Sequence, residues 1–467
     1  MPAAAISLPP TTRTENFPVP PPSIPCRNYP HSFPAAHSPS PPTHWREFPK
    51  THNPPPRISS PRWPAARSNL NLPSLPFISA PPSPRPDNPF FGSHAPSPSP
   101  YDSSMKVPPD DRTWCEISTS ALRHNLRTLR RGLPRKVRVL AVVKDDAYGH
   151  GLIPVARTLN QAGCEEFGVA CVAEGVQLRQ AGIRQPILVL GSTLPFEFPL
   201  ALRHRLTLTL SSLTEARELA RTARRARLPA LVQAKLDTGM NRLGANPVEF
   251  SELLLFIARQ PPFKLLGTFT HLACADSNPA FTRRQLLRSS LLPKNLPLHW
   301  ANTAALLSRL PFASTHARPG LGLYGSNPLA RSSPRLKPVL SWKSRILVVR
   351  SVARGESISY GATFRAPRNL KVATVATGYA HGLPRSLSSR GHALIQGRLC
   401  PILGRVTMDM TLLDVTRLPS ARRGQEVVWI GRSGSLTRTA ADLAREAGTI
   451  PWEILTRIHP ALPRHIS

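Results

Sequence analysis

Acidic side chains are scarce in this 467-residue chain: 26 Asp and Glu stand against 60 Lys and Arg, for a formal charge of +34. Such an excess suits nonspecific contact with nucleic acid or anionic lipid. Aromatics make up only 6% of the residues, and none interleave with the arginines of RTLRRGLPRK or ELARTARRARL. A single-strand binder needs that interleaving to stack bases, so these arginines read as solvated helix faces and nucleic acid is not the expected partner. Cysteine is also sparse. The six, at positions 26, 115, 164, 171, 274 and 400, form no C-x-x-C pair and no metal-finger spacing. That excludes a disulfide scaffold and a zinc ribbon, and fits free thiols in a reducing compartment. No apolar run approaches the length of a membrane span. No short apolar core lies between a basic start and a small-residue cleavage site, so a secretory signal is not expected. The expectation is a soluble, cytoplasmic protein without a metal site.

Proline is abundant but unevenly spread: 29 of the 55 prolines fall in residues 1–100, among serines, as in PPSPRPDNP and APSPSP. Each proline removes an N–H and fixes φ, so this text sustains neither a helix nor an inner strand. It also lacks the periodic apolar residues that would offset its ordering entropy. Residues 1–104 are therefore expected to be disordered. Their few acidic residues loosely resemble a transit peptide, although the prolines forbid an amphipathic helix. Met105 is the only methionine between Met1 and Met240, and pattern begins just after it. A start at Met105 is the favoured expectation. Residues 105–467 still carry 52 basic against 22 acidic side chains, so the charge belongs to the patterned part.

From about residue 138 the chain alternates short β-rich runs with helical stretches. The runs are VRVLAVV, EFGVAC, PILVL, LTLTL, ALVQAKL, LLGTFTHL, PLHWAN and THARPGLGLYG. Between them, LTEARELARTARRA, PVEFSELLLFIARQ and RRQLLRSSLL place apolar residues at helical spacing. The alternation predicts a parallel sheet with crossover helices, and eight runs predict an α/β fold of the (β/α)8 barrel type over residues 112–336. SNPLARSSPRLKP reads as a connector. After it, strand-like runs dominate, with one helical run in LTRTAADLAREAG, so 337–467 is expected to be a smaller, mostly-β domain.

Ten residues carry the most chemistry. In VVKDDAYGHG, Val142 to Gly151, a β-rich run ends in Lys144, Tyr148 follows four residues on, and a Gly-His-Gly turn leads into a helical pattern. A strand-end lysine beside a glycine turn that lets backbone approach a phosphate is what an aldimine-forming lysine needs. Barrel enzymes keep their chemistry at the carboxyl ends of the strands. Lys144, the KLDTGMNRLG loop, His271, Asn302, Thr303 and Arg318 all fall at such ends.

The decapeptide closely resembles the cofactor-lysine signature of the alanine racemases, which are fold-type III pyridoxal-phosphate enzymes. KLDTGMNRLG, HWANTAAL, ARPGLGLYG, SYGATFRAP, TGYAHGLPR, LGRVTMDM and GTIPWEILT extend the resemblance over nearly all of 112–467. The family's fold, a barrel plus a β domain in a homodimer with shared active sites, agrees with the architecture read from the runs. The resemblance implies pyridoxal 5'-phosphate as cofactor, alanine as substrate, and D-alanine made for peptidoglycan. Racemisation needs a base on each face of Cα, because one base returning its proton to the same face changes nothing. Lys144 resembles the family's cofactor lysine and D-face base. Tyr360 resembles the opposite base, reaching the site of the other subunit, with His271 as its partner. Arg318 matches the arginine facing the pyridine nitrogen; a guanidinium keeps its proton, which leaves the ring a weak electron sink. Tyr148, Thr303, Gly320 and Leu321 match the phosphate-binding positions, the last two through backbone N–H. Arg242 and Met408 match substrate-contacting positions, and Lys235 matches a lysine often carbamylated in the family.

Two residues depart from the family pattern. Asp145 stands where a small residue is usual, and strand alternation predicts that it points away from Lys144. His381 stands where an acid is frequent. Among rival readings, barrel-type decarboxylases need an acid at the pyridine nitrogen, where this chain has Arg318. A single-barrel cofactor carrier has no counterpart of the β domain with Tyr360. A racemase of broad specificity stays open.

Overall fold

The computed structural model describes residues 111–467, apart from 309, 311–312 and 330–335. The expectations for residues 1–104, for a start at Met105 and for part of the connector lie outside the described residues. The first strand, β1 (Thr113–Ile117), is followed by β2 (Arg138–Val142), β3 (Glu166–Val169), β4 (Ile187–Val189), β5 (Thr207–Leu210) and β6 (Ala230–Lys235). Next come β7 (Phe263–Phe269), the short pieces β8 (Leu298–His299) and β9 (Ala301–Asn302), and β10 (His316–Arg318). From β2 to β8 each strand pairs in parallel with the next. β10 pairs in parallel with both β2 and β9. Only Trp300 separates β8 from β9, so residues 298–302 act as one kinked strand position that hands the ladder from β7 to β10. The ring thus closes with eight strand positions, one for each β-rich run of the sequence. β3, β4 and β5 are buried throughout, as strands enclosed on both faces must be.

Helices run between the strands on the outside. Leu213–Ala226 shows why they form: Ala216, Leu219, Ala220 and Ala223 are buried at helical spacing, and Ser212 caps the start by accepting the Glu215 N–H. Arg221, Arg224 and Arg225 of that helix face solvent. The arginine-rich text is therefore a solvated face here. Among the described residues no helix is long and apolar enough to cross a membrane.

A second sheet follows the barrel, with β11 (Leu340–Val352) at its centre, flanked by Glu426–Ser433 and Leu370–Val375. Its core includes Trp342 and Trp429, whose rings lie 6.3 Å apart, and Trp429 Nε1–H donates to Ser344 Oγ at 3.0 Å. β1 also belongs to this sheet, antiparallel to β11 and parallel to Arg464–Ile466. The sequence boundary at 112 therefore needs correction at its start, because residues 113–117 complete the second sheet. Periodicity identifies a strand without saying which sheet supplies its partners. The expected helical run forms as Ala440–Ala447, with a capping box between Thr439 and Asp442. Gly448, at φ 74°, ends it, and Pro451 opens an additional helix, Pro451–Arg457, that lies against the turn following β2 of the barrel.

Candidate active site

β2 ends at Val142, and the backbone then enters a left-handed turn. Asp145, Asp146, Ala147 and Tyr148 all have φ between 53° and 55°, and the Ala147 N–H donates to the Val143 carbonyl at 2.9 Å. Left-handed helix costs an L-residue roughly 1–2 kcal/mol, so four in succession persist only where surroundings hold them. The holders are specific. Tyr324 Oη donates to the Val142 carbonyl at 3.0 Å, and His150 Nδ1 donates to the Tyr148 carbonyl at 2.8 Å. Asp146 Oδ1 accepts the Leu152 N–H at 2.7 Å, while Glu174 Oε1 accepts the Asp146 N–H at 3.3 Å. The rings of His150 and Tyr148 pack against Tyr324 at 4.5 and 4.9 Å.

The turn corrects the expectation for Asp145. Its carboxylate lies 2.9 Å from Lys144 Nζ instead of pointing away. Strand alternation stops applying once the backbone turns left-handed after Val143.

Lys144 opens into a cavity of about 670 Å³ at the carboxyl ends of the barrel strands, lined also by Asp145, Tyr148, Lys235, Arg242 and His271, among others. Thr303, Arg318, Gly320 and Leu321 line it too. On one side is a cradle of neutral donors. Burial, with the nearby Asp145 charge, raises the Tyr148 phenol above its usual value, so it keeps its proton. Thr303 Oγ1 accepts the N–H groups of Gly320 and Gly322 at 3.0 and 3.3 Å, which leaves its own proton free to be donated. A Cβ at position 320 would stand 2.5 Å from Tyr148 Oη, so only glycine allows this approach. These donors, next to Lys144, suit a phosphate dianion carried by an aldehyde.

Opposite stands a buried cationic wall. Arg318 is 3% exposed; its Nη2 donates to the Thr270 carbonyl at 2.8 Å and to His271 Nδ1 at 3.3 Å, and its Nη1 donates to His299 Nδ1. His299 can accept there because its other nitrogen donates to Gln233 Oε1 at 2.7 Å. Burial lowers the Arg318 guanidinium to about 9, still cationic at neutral pH. Burial, then Arg318, Lys235, Arg242 and Lys144, hold His271 well below the ordinary histidine value, so it is neutral. Lys235, at the end of β6, is lowered to about 8 by burial and by Arg318 and Arg242, against a smaller opposing pull from Asp237. Asp237 shapes the loop bearing Arg242, its carboxylate accepting the N–H groups of Gly239, Met240 and Asn241.

The second domain reaches the cavity through Trp452, Glu453 and Thr456. Tyr360 and Met408 do not line it in the single chain; they are 70% and 55% exposed on the β domain. His381 caps a short turn there by accepting the Gly378 N–H at 3.1 Å. Sequence reasoning missed Gln233, His299 and Tyr324. His299 had a signal, since it opens the HWANTAAL motif, but its ring is buried inside the barrel and meets the site through Arg318 and through Phe269, on which it stacks at 4.8 Å.

Residues 117–328 match the alanine racemase N-terminal domain and residues 339–466 the alanine racemase C-terminal domain. The chain is 39% identical over 365 residues to the alanine racemase of Methylacidiphilum infernorum, covering 78% of this chain and 94% of that one. The crystal structure of alanine racemase from E. faecalis superposes with a TM-score of 0.72 at 30% identity, covering 78% of this chain and all of that one. A histidine racemase from Leuconostoc mesenteroides superposes with a TM-score of 0.71 at 30% identity, covering 78% and 99%. The barrel, the β domain and these matches together make the chain a member of the alanine racemase family, and an isomerase.

Proposed function

We propose that the protein interconverts L- and D-alanine with pyridoxal 5'-phosphate, in the cytoplasm, supplying D-alanine for peptidoglycan. One observation carries this reading: a lysine, a cradle of neutral donors fit for phosphate and a buried arginine share one cavity. When bound, pyridoxal phosphate makes the Cα–H of an attached amino acid acidic. Lys144 would hold it covalently, and Tyr148, Thr303 and the Leu321 N–H would hold its phosphate, joined by the Gly320 N–H once that group leaves Thr303 Oγ1. Arg318 would face the pyridine nitrogen. Because it stays cationic and is fixed by His299 and the Thr270 carbonyl, it gives no full proton to the ring, which limits charge delocalisation and side reactions.

Lys144 then takes or returns the proton on one face of Cα, and Tyr360 does so on the other. Neutral His271, whose Nδ1 accepts from Arg318, would donate from Nε2 toward the tyrosine oxygen, and Arg242 would meet the substrate carboxylate. Met408 would narrow the inner mouth. These assignments require a second copy of the chain, since Tyr360 and Met408 lie outside their own subunit's cavity. The exposed Tyr360, Tyr379, Met408 and Met410 form apolar surface suited to such an interface.

The similarity to a histidine racemase favours a second reading, a broader substrate range on the same machinery. Racemisation of alanine, serine, lysine and histidine by the purified protein with added pyridoxal phosphate separates the two. Alanine turned over well above the others is the expected result. No turnover of any of the four would overturn the proposal.

A further inference from the structure

The hydrogen bonds described above that hold the left-handed turn after β2 come from the barrel, and the second domain adds a guanidinium to them. Arg464 begins the strand Arg464–Ile466, which pairs with β1 in the second sheet. Its side chain is only 6% exposed and runs back to the barrel. Nε–H donates to the Gly149 carbonyl at 3.0 Å, and Nη2 lies 3.6 Å from Asp146 Oδ2. Nη1 donates to the carbonyls of Pro460 and Leu462 at 2.8 and 3.0 Å, which fixes the guanidinium to its own domain. The Gly149 carbonyl directly follows Tyr148, and Asp146 is the centre of the turn. Arg464 thus holds the middle and the carboxyl end of the segment that presents Tyr148 to the cavity and Lys144 to whatever occupies it.

We propose that Arg464 is a positioning residue for the cofactor-lysine turn, so that the second domain sets how well the barrel captures pyridoxal phosphate. The proposal rests on the functional reading above. Its physical basis is strain: the left-handed turn is unfavourable alone, and each restraint removed lets it relax toward right-handed backbone. Relaxation would swing Lys144 and Tyr148 apart. A charge-assisted hydrogen bond made by a buried guanidinium is worth enough to shift cofactor affinity by about tenfold or more.

The test is pyridoxal-phosphate affinity of the full chain, followed through the visible absorbance of lysine-bound cofactor, with the melting temperature of the cofactor-free protein as control. Arg464→Ala is expected to raise the dissociation constant by about tenfold and to lower the visible band per bound cofactor. Arg464→Lys, which keeps a charge near Asp146 but cannot hold all its contacts, should fall between. Asp146→Asn retains the acceptor for the Leu152 N–H and loses only the ion pair; it should weaken binding several-fold, and it serves if Arg464→Ala fails to fold. Native affinity and a native band in Arg464→Ala, or in Asp146→Asn where that variant stands in, overturn the proposal even if the melting temperature falls. If the unaltered protein takes up no pyridoxal phosphate, the functional reading fails and the proposal fails with it; uptake by the unaltered protein with no effect of Arg464→Ala removes the proposal alone.

Discussion

Lys144 Nζ and the Asp145 carboxylate lie 2.9 Å apart, neighbours in sequence turned toward each other by a left-handed backbone. The pair is 38% and 48% exposed, so it is a solvent-screened bridge of about 0–1 kcal/mol. Lys144 must leave this partner before it can bond an aldehyde. Asp145→Ala is therefore expected to speed pyridoxal-phosphate uptake by about two- to fivefold at low salt, with the gap closing as salt screens the pair. Stopped-flow uptake at two ionic strengths checks this, and an unchanged rate at low salt would show that the bridge does not compete.

Gly320 carries a second prediction. Gly320→Ala would place a methyl 2.5 Å from the hydroxyl and 3.0 Å from Cζ of the buried Tyr148 side chain. Overpacking of this kind costs about 1–3 kcal/mol. Pyridoxal-phosphate affinity should fall by roughly tenfold or more, whereas pyridoxal, which has no phosphate, should lose less. Equal losses for both ligands would place the phosphate cradle elsewhere.

Most of the site was legible because barrel geometry puts chemistry at strand ends. Lys144, Lys235, His271, Thr303 and Arg318 each end or follow a β-rich run, and all of them line one cavity. The turn itself was not legible. Asp145 to Tyr148 contain no glycine, the usual signal for positive φ, and contacts distant in sequence, among them Tyr324, Glu174 and Arg464, hold the turn instead. Asp145 was misplaced for that reason. β1 was hidden differently, since its partners lie more than 200 residues away. His299 and Gln233 read simply as barrel-interior residues until Arg318 is seen bonded between them and the cavity.

Lys235 gives a pH dependence. Its amine, lowered to about 8, is largely protonated at neutral pH and increasingly neutral above it. The neutral form alone reacts with carbon dioxide, losing a proton to give a carbamate that could hold Arg242. Its folded value lies below that of the unfolded chain. Without carbon dioxide, stability should therefore rise with pH from about 8 toward 10.5, where the unfolded chain holds more protons. Activity of protein depleted of carbon dioxide is expected to recover on adding bicarbonate, more completely at pH 8.5 than at pH 7, and Lys235→Ala should abolish that response (both pH values are about half a unit to one unit from the lysine's). A response that persists in Lys235→Ala would assign the effect to another amine.

In the proposed reaction, Lys144 of one subunit works with Tyr360 of another on opposite faces of one substrate. Tyr360→Phe should keep the visible absorbance of lysine-bound cofactor and lose nearly all racemisation; Lys144→Ala should lose both. Mixing the two inactive variants under conditions that exchange subunits tests the pairing directly. In a mixed dimer one site receives the native lysine from the Tyr360→Phe subunit and the native tyrosine from the Lys144→Ala subunit. Random exchange should then restore about a quarter of native alanine racemisation. A mixture as inactive as either variant alone, with subunit exchange demonstrated, would contradict the account.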